Sequence, residues 1–139
     1  MVKIGSTRKY KKSRANTRKN RKEYKHKICV GKIFADWCGH CVALKPEWDK
    51  MKKMIKQNKS KNTHLSFFEI GDTEQNQIKG LTVDKQLIKL NKKYFPNGEQ
   101  KVEVMGGFPT IFKICDNKLE YYSGPRIAEE MYKWFTSTN

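Results

Sequence analysis

The pattern of apolar and polar positions becomes regular only about 28 residues into the chain. An apolar run around Val30, Ile33 and Phe34 predicts a strand over residues 28–34. After it, apolar side chains recur at intervals of 3, 4, 3 and 4 positions, which predicts one buried face of a helix from residue 38 to about 58: Cys41, Leu44, Trp48, Met51 and Ile55. Pro46 lies inside that helix and predicts a kink.

The rest of the chain alternates strands with helices. Further strands are predicted over residues 65–70, 110–115 and 119–122, the last two forming a hairpin around Asp116-Asn117. Helical spacing predicts a helix over 82–95, capped by Thr82, and a last helix that starts at Gly124-Pro125, with Ile127, Met131 and Trp134 on its buried face. Residues 71–80 are polar and predict a loop, and 102–104 predict a short strand or an extended segment. The layout is typical of an α/β fold with a mixed sheet, whose first two strands are parallel.

Charge divides the chain into two parts. The formal net charge is +16, and residues 1–27 hold 12 Lys/Arg and one acid, whereas the remainder holds 18 and 13. Like charges at this density, with few apolar residues, predict a disordered basic arm over residues 1–26 and one domain over 27–139. The arm is either a solubilising tail or a non-specific binder of nucleic-acid phosphates.

The chemistry of the chain concentrates at two cysteines between the first strand and the helix. Cys38 is predicted at the N-terminus of the helix, where free N–H groups and the helix dipole favour a thiolate, and Cys41 lies one turn deeper. A zinc site is the alternative, but it needs a second pair of ligands at suitable spacing. The imidazole of His40 is expected to stabilise the Cys38 thiolate, unless it is merely an exposed side chain without a role.

The sequence also indicates in which compartment the protein works and what state its two other cysteines are in. No apolar run reaches the roughly 18 residues of a membrane span, and we expect neither a secretory leader nor an ER-retention signal. We therefore expect a reducing, cytoplasmic location, where a CxxC pair is redox-active rather than a static bond. Cys29 and Cys115 are predicted to be buried thiols, with a cross-strand disulfide between them as the alternative.

Three motifs together resemble the thioredoxin fold of the protein disulfide isomerase type. They are Trp37-Cys38-Gly39-His40-Cys41, Pro46 five residues later, and Phe108-Pro109-Thr110. The resemblance implies a thioredoxin-like domain in which Cys38 attacks, Cys41 resolves, and Pro109 is a cis proline facing the pair, with Trp37, Gly39, His40 and Phe108 in support. It implies a thiol–disulfide oxidoreductase leaning towards oxidase or isomerase work, without a metal or organic cofactor.

The implied partners are protein disulfides or dithiols and a recycling sulfhydryl oxidase or reductase, with no membrane partner. The alternative function is a nucleic-acid-associated or virion-packaged protein in which the basic arm is the main functional element. The composition, rich in lysine and asparagine, is also similar to that of thioredoxin-domain proteins of giant DNA viruses.

The chain departs from the family pattern in three places. Lys32 stands where the family usually has an acid, six positions before the first cysteine. Strand alternation predicts that it points beneath the cysteines, as a proton acceptor or a stabilising cation; a shifted register would let it reach solvent. Residues 1–26 lack the apolar residues for the family's leading strand and helix, and 38 residues separate Ile70 from Pro109, which predicts an insertion.

Overall fold

The computed structural model describes residues 23–138, and four strands and four helices lie in this part of the chain. In chain order they are β1 (His26–Ala35), α1 (Gly39–Gln57), β2 (Thr63–Asp72), α2 (Glu74–Ile78), α3 (Val83–Tyr94), β3 (Thr110–Cys115), β4 (Lys118–Tyr121) and α4 (Ala128–Thr136). Most of the predicted arm, residues 1–26, lies outside the described residues, so the division into arm and domain stays a prediction. Within residues 23–138, no helix combines the length and the apolar character that crossing a membrane would require.

The four strands form one mixed sheet in the order β2-β1-β3-β4. β1 runs parallel to β2 and antiparallel to β3, and β3 and β4 form an antiparallel hairpin. This confirms the predicted thioredoxin-like α/β fold with a mixed sheet flanked by helices. Because β1 is central, its residues from Ile28 to Ile33 pair with neighbouring strands on both sides.

Each face of the sheet has its own apolar core. On one face α1 and α4 cover β1, and the Trp48 ring meets Phe135 edge-on at 5.7 Å between centroids. On the other face α3 packs on the sheet, and the ring of Phe112 lies over Gly31, where an added Cβ would come within 2.2 Å of it. Any side chain at Gly31 would therefore displace the Phe112 ring.

The predicted loop over residues 71–80 is wrong in one respect, because it contains the short helix α2. The hydroxyl of Thr73 accepts a hydrogen bond from the Asn76 N–H at 3.1 Å and so caps this helix. No residue of α2 is buried, so there is no apolar periodicity by which the sequence could show it.

The last helix begins at Ala128, several residues later than predicted, and its buried face is only partly the predicted one. Met131 is buried as predicted, whereas Ile127 is 48% exposed and Trp134 is half-buried; Ala128 and Phe135 complete the buried face. The first free N–H of α4, that of Ala128, donates to the Glu47 carboxylate on α1 at 2.8 Å. Since this cap comes from another helix, the local sequence does not reveal where α4 starts.

The segment around Val102 is not a strand. The Asn91 side chain on α3 accepts from the Val102 N–H at 2.7 Å and donates to its carbonyl at 3.0 Å. An amide side chain thus takes the place of a neighbouring strand and keeps buried Val102 in the core.

Cys29 and Cys115 are not bonded to each other. Cys29 lies opposite Ile114 in the β1–β3 register and Cys115 lies opposite Ile28, so the two thiols point to different faces of the sheet. Both are free cysteines, and their placement contradicts the alternative of a cross-strand disulfide. Cys29 is buried as predicted, whereas Cys115 is only half-buried.

Candidate redox site

Two thiols of unequal depth lie where β1 gives way to α1. Cys38 is the N-cap of α1, and its carbonyl accepts the Cys41 and Val42 N–H groups at 3.1 and 3.0 Å. The Cys38 side chain is half-buried, whereas Cys41, one turn along, is 5% exposed. A bulky substrate can therefore reach the Cys38 sulfur first.

The surroundings of the two thiols move their pKa values in opposite directions. The pKa of Cys38 is lowered, first by a hydrogen bond from the Cys41 thiol and then by the Cys41 and His40 backbone N–H groups and the Arg126 charge. The pKa of Cys41 is raised, mainly because burial disfavours its thiolate, although the charge of Lys32 acts against this. Cys38 is consequently the better nucleophile of the pair near neutral pH.

The loop before β3 faces the two cysteines. The Phe108–Pro109 peptide bond is cis, as predicted, and the Phe108 carbonyl accepts from the Cys38 thiol at 3.6 Å. The Thr110 hydroxyl fixes the loop by donating to the Gly107 carbonyl at 2.7 Å and accepting from the Met105 N–H at 3.0 Å. This places backbone polar groups beside the reactive sulfur.

Trp37 presents an exposed indole ring next to Cys38. Its side chain is 69% exposed, its ring meets Phe108 edge-on at 5.8 Å, and its indole N–H donates to Asp72 at 3.0 Å. Asp72 also accepts from the Gln77 amide at 2.8 Å, and the Gln77 and Trp37 hydrogen bonds lower its pKa. Asp72 is thus a site residue that sequence reasoning missed, and it ties α2 to the tryptophan.

Lys32 lies beneath the cysteines and is buried. Its side chain is only 5% exposed, so the alternative in which it reaches solvent is wrong. The ammonium lies 3.9 Å from Glu69, its partner in the β1–β2 register, 4.5 Å from the Phe34 ring centroid and 5.4 Å from that of Trp48. Burial lowers the pKa of Lys32, and Glu69 acts against this decrease.

Gly39 and His40 occupy the exposed first turn of α1. The backbone N–H of His40 lowers the pKa of Cys38, and the predicted effect of its imidazole stays a prediction. The charge of Arg126 does act on Cys38, although Arg126 was not predicted as a site residue. Nothing local to Arg126 in the sequence shows that its loop returns to the N-terminus of α1.

Comparison with protein families gives one match that covers just over half of the chain. The family described as Thioredoxin matches residues 11–83, a segment that contains both Cys38 and Cys41.

Several curated relatives are protein disulfide-isomerases. Those of Triticum aestivum and Medicago sativa are 27% and 28% identical over 112 residues, and in each case the match covers 79% of this chain and 18% of the relative. A probable protein disulfide-isomerase A4 of Caenorhabditis elegans is 27% identical over 111 residues, or 80% of this chain and 14% of the relative. The chain therefore spans less than a fifth of the length of these relatives.

Among solved structures, the first thioredoxin domain of mouse protein disulfide-isomerase A4 aligns with a TM-score of 0.48 and 18% identity. The alignment covers 89% of this chain and 68% of that one. The zinc-bound form of human ERp44 aligns with a TM-score of 0.48 and 14% identity, over 78% of this chain and 24% of that one.

Proposed function

The chain belongs to the thioredoxin family, and from this premise we propose that it is a thiol–disulfide oxidoreductase acting on protein substrates through Cys38 and Cys41. The observation that supports this best is the opposed shift of the two thiols, with the pKa of half-buried Cys38 lowered and that of buried Cys41 raised. A thiolate that substrate can reach, backed by a protected second thiol, is what two-step disulfide exchange requires.

The exchange proceeds through one mixed disulfide. The Cys38 thiolate attacks one sulfur of a substrate disulfide, the substrate S–S bond breaks, and the departing substrate thiolate takes up a proton. Cys41 then loses its proton and attacks the Cys38 sulfur, which breaks the mixed disulfide and releases the second substrate thiol. The substrate has gained two electrons and two protons, and the protein now holds a Cys38–Cys41 disulfide; running in reverse, the same steps oxidise a substrate dithiol.

We propose that this pair leans towards oxidation or isomerisation. A stabilised Cys38 thiolate favours the reduced dithiol, which makes the corresponding disulfide a stronger oxidant. The protein disulfide-isomerases among the relatives support the same direction. A sulfhydryl oxidase or a reductase would restore the pair after each cycle. The relatives reported above come from plants and a nematode, so packaging in a virion stays a prediction from composition.

The test uses single-cysteine variants in disulfide exchange with a reducible protein such as insulin. We expect Cys38→Ser to abolish exchange, because it removes the attacking sulfur, and Cys41→Ser to accumulate mixed disulfides that non-reducing electrophoresis detects. Alkylation of the reduced protein should modify Cys38 first. Faster alkylation of Cys41 would show that the two roles are assigned the wrong way round.

A further inference from the structure

A cavity lies far from the cysteines, at the opposite end of α1. It encloses about 600 Å³ between the end of α1, the first residues of β2 and one face of α4. From Cys38 to Lys56 the helix rises by about 27 Å, at roughly 1.5 Å per residue. The cavity is therefore separate from the redox site.

The lining of this cavity is positively charged. It contains Lys56, Lys59 and Lys61 and no carboxylate side chain, and these three lysines form no ion pair within residues 23–138. The C-termini of α1 and α4 lie nearby and act as about half a negative charge each, which leaves the lysines in clear excess. The cavity is thus suited to an anion.

Aromatic rings form the other part of the lining. Tyr24 and His64 contact each other, with ring centroids 5.1 Å apart, and Phe67 and Tyr132 also line the cavity. A ligand that offers only negative charge, such as a peptide rich in Asp and Glu, would make no stacking contact with these rings. A nucleotide uses both features, because its phosphate pairs with lysine and its base stacks on a ring.

We propose that this cavity binds a segment of single-stranded nucleic acid, with phosphates against the lysines and a base against the Tyr24–His64 pair. The chain that leads into Tyr24, residues 1–22, holds ten Lys/Arg and no acid, so the positive charge continues along the sequence from the cavity. A basic segment alone binds any polyanion through counterion release and favours duplexes of high charge density. The rings add a preference for unpaired bases, since a duplex keeps its base faces stacked.

The test compares ligands on the full-length protein by fluorescence anisotropy. The ligands are labelled oligothymidylate and oligouridylate of about 20 nucleotides, enough to span one stacking platform with its flanks, and a duplex of equal length. Unlabelled polyglutamate serves as competitor. Oligothymidylate and oligouridylate should both bind more tightly than the duplex at about 150 mM salt, where charge alone is screened beyond roughly 8 Å.

Two variants and one matched control locate the binding. His64→Ala removes one exposed ring, and its affinity for oligothymidylate should fall about fivefold or more while its affinity for the duplex changes less than about twofold. The double variant Lys59→Glu/Lys61→Glu should bind nucleic acid more weakly than the double variant Lys89→Glu/Lys92→Glu on α3. The second variant is the matched control, because it changes the net charge equally. Disulfide exchange should stay unchanged in all of these variants.

Three results would overturn the proposal. They are equal loss of affinity in the two charge-reversal pairs, no change in oligothymidylate binding on His64→Ala, and competition by polyglutamate as effective as that by oligothymidylate. The last would show that the cavity accepts acidic chains of any kind. Each result is independent of the cysteines, so failure here leaves the proposed redox function standing.

Discussion

Replacing Lys32 with methionine should leave the stability of the protein unchanged or higher while slowing its second redox step, the attack of Cys41 on the mixed disulfide. The Lys32 ammonium is 3.9 Å from Glu69, and a Coulomb energy at an effective dielectric constant of about 20 amounts to about 4 kcal/mol. Burying the Lys32 ammonium costs several kcal/mol, and solvent screens the partly exposed Glu69, so the pair is close to neutral for stability. Methionine has a similar length and needs no counter-charge.

Glu69 does not lose all its partners in this variant, because Lys52 donates to it at 2.9 Å. We therefore expect Lys32→Met to fold with an unchanged or higher Tm. The pKa of Lys32 is lowered in the folded state, so its cost to stability is fully present at pH values below the folded pKa. That cost is relieved as the pH rises towards the unfolded value of about 10.4, and the stability gained by Lys32→Met should shrink over the same window.

The rate of resolution should change in the opposite sense. Lys32 lowers the pKa of Cys41, and its loss should raise that pKa, so that fewer Cys41 thiolates are available at neutral pH. A shift of one pKa unit would slow resolution about tenfold at pH 7 and move the pH–rate profile up by about one unit. Stopped-flow decay of a Cys38 mixed disulfide, followed over roughly pH 6 to 9 around the free thiol value of about 8.5, measures both.

Glu69→Gln distinguishes the two forms in which Lys32 could act. Glu69 raises the pKa of Lys32, so its removal should leave more neutral amine. Resolution should then accelerate if the neutral amine accepts the Cys41 proton, and slow if the cation stabilises the thiolate. The electrostatic effect of Lys32 on Cys41 favours the cation, and we expect slowing. An unchanged profile in Lys32→Met would refute any catalytic part for this residue.

Three further predictions follow from other parts of the chain. His40→Pro removes both the imidazole and the backbone N–H that stabilises the Cys38 thiolate, so the pair should become more reducing; an unchanged potential against glutathione would contradict this. Asp116→Asn should flatten the acid dependence of Tm, because the His26 hydrogen bond lowers the pKa of Asp116 and stabilises the fold above about pH 3.9, an effect lost as the pH falls through the folded pKa. A chain that starts at Tyr24 should unfold cooperatively and still reduce small disulfides, whereas aggregation would show that residues 1–23 belong to the fold.

Much of the fold is visible in the sequence wherever burial follows a simple period. The five predicted apolar positions of α1 are all buried, and the predicted cap of α3, Thr82, accepts from the Lys85 N–H at 3.1 Å. The strands β1 to β4 were each predicted to within about two residues, the usual uncertainty of element ends. Periodicity shows which side of α1 and α3 faces the core, whereas β1 and β3 are buried on both faces and appear as apolar runs.

What the sequence did not show depends on contacts between distant segments. The start of α4 is set by Glu47, 81 positions away, and the Trp37 indole is held by Asp72, 35 positions away. Lys32 is positively charged where the family usually has an acid, and Glu69 balances this charge. In the sequence Glu69 is an ordinary polar strand position, and only the β1–β2 register shows that it is the partner of Lys32. Local patterns contain no information on such partners.

The redox properties of Cys38 and Cys41 likewise depend partly on the local sequence and partly on distant residues. Cys38 and Cys41 and the turn that holds them are local, and the CxxC spacing together with the strand and helix pattern around it predicts two thiols at a helix start. The groups that set their unequal pKa values come from elsewhere, since Arg126 acts on Cys38 from the loop before α4 and Lys32 acts on Cys41 from β1. Stabilising the Cys38 thiolate favours the reduced pair, and keeping Cys41 protonated prevents the resolving sulfur from competing for substrate. The motif is therefore the basis of the proposed disulfide exchange, whereas the proposed direction of exchange depends on charges placed by the fold.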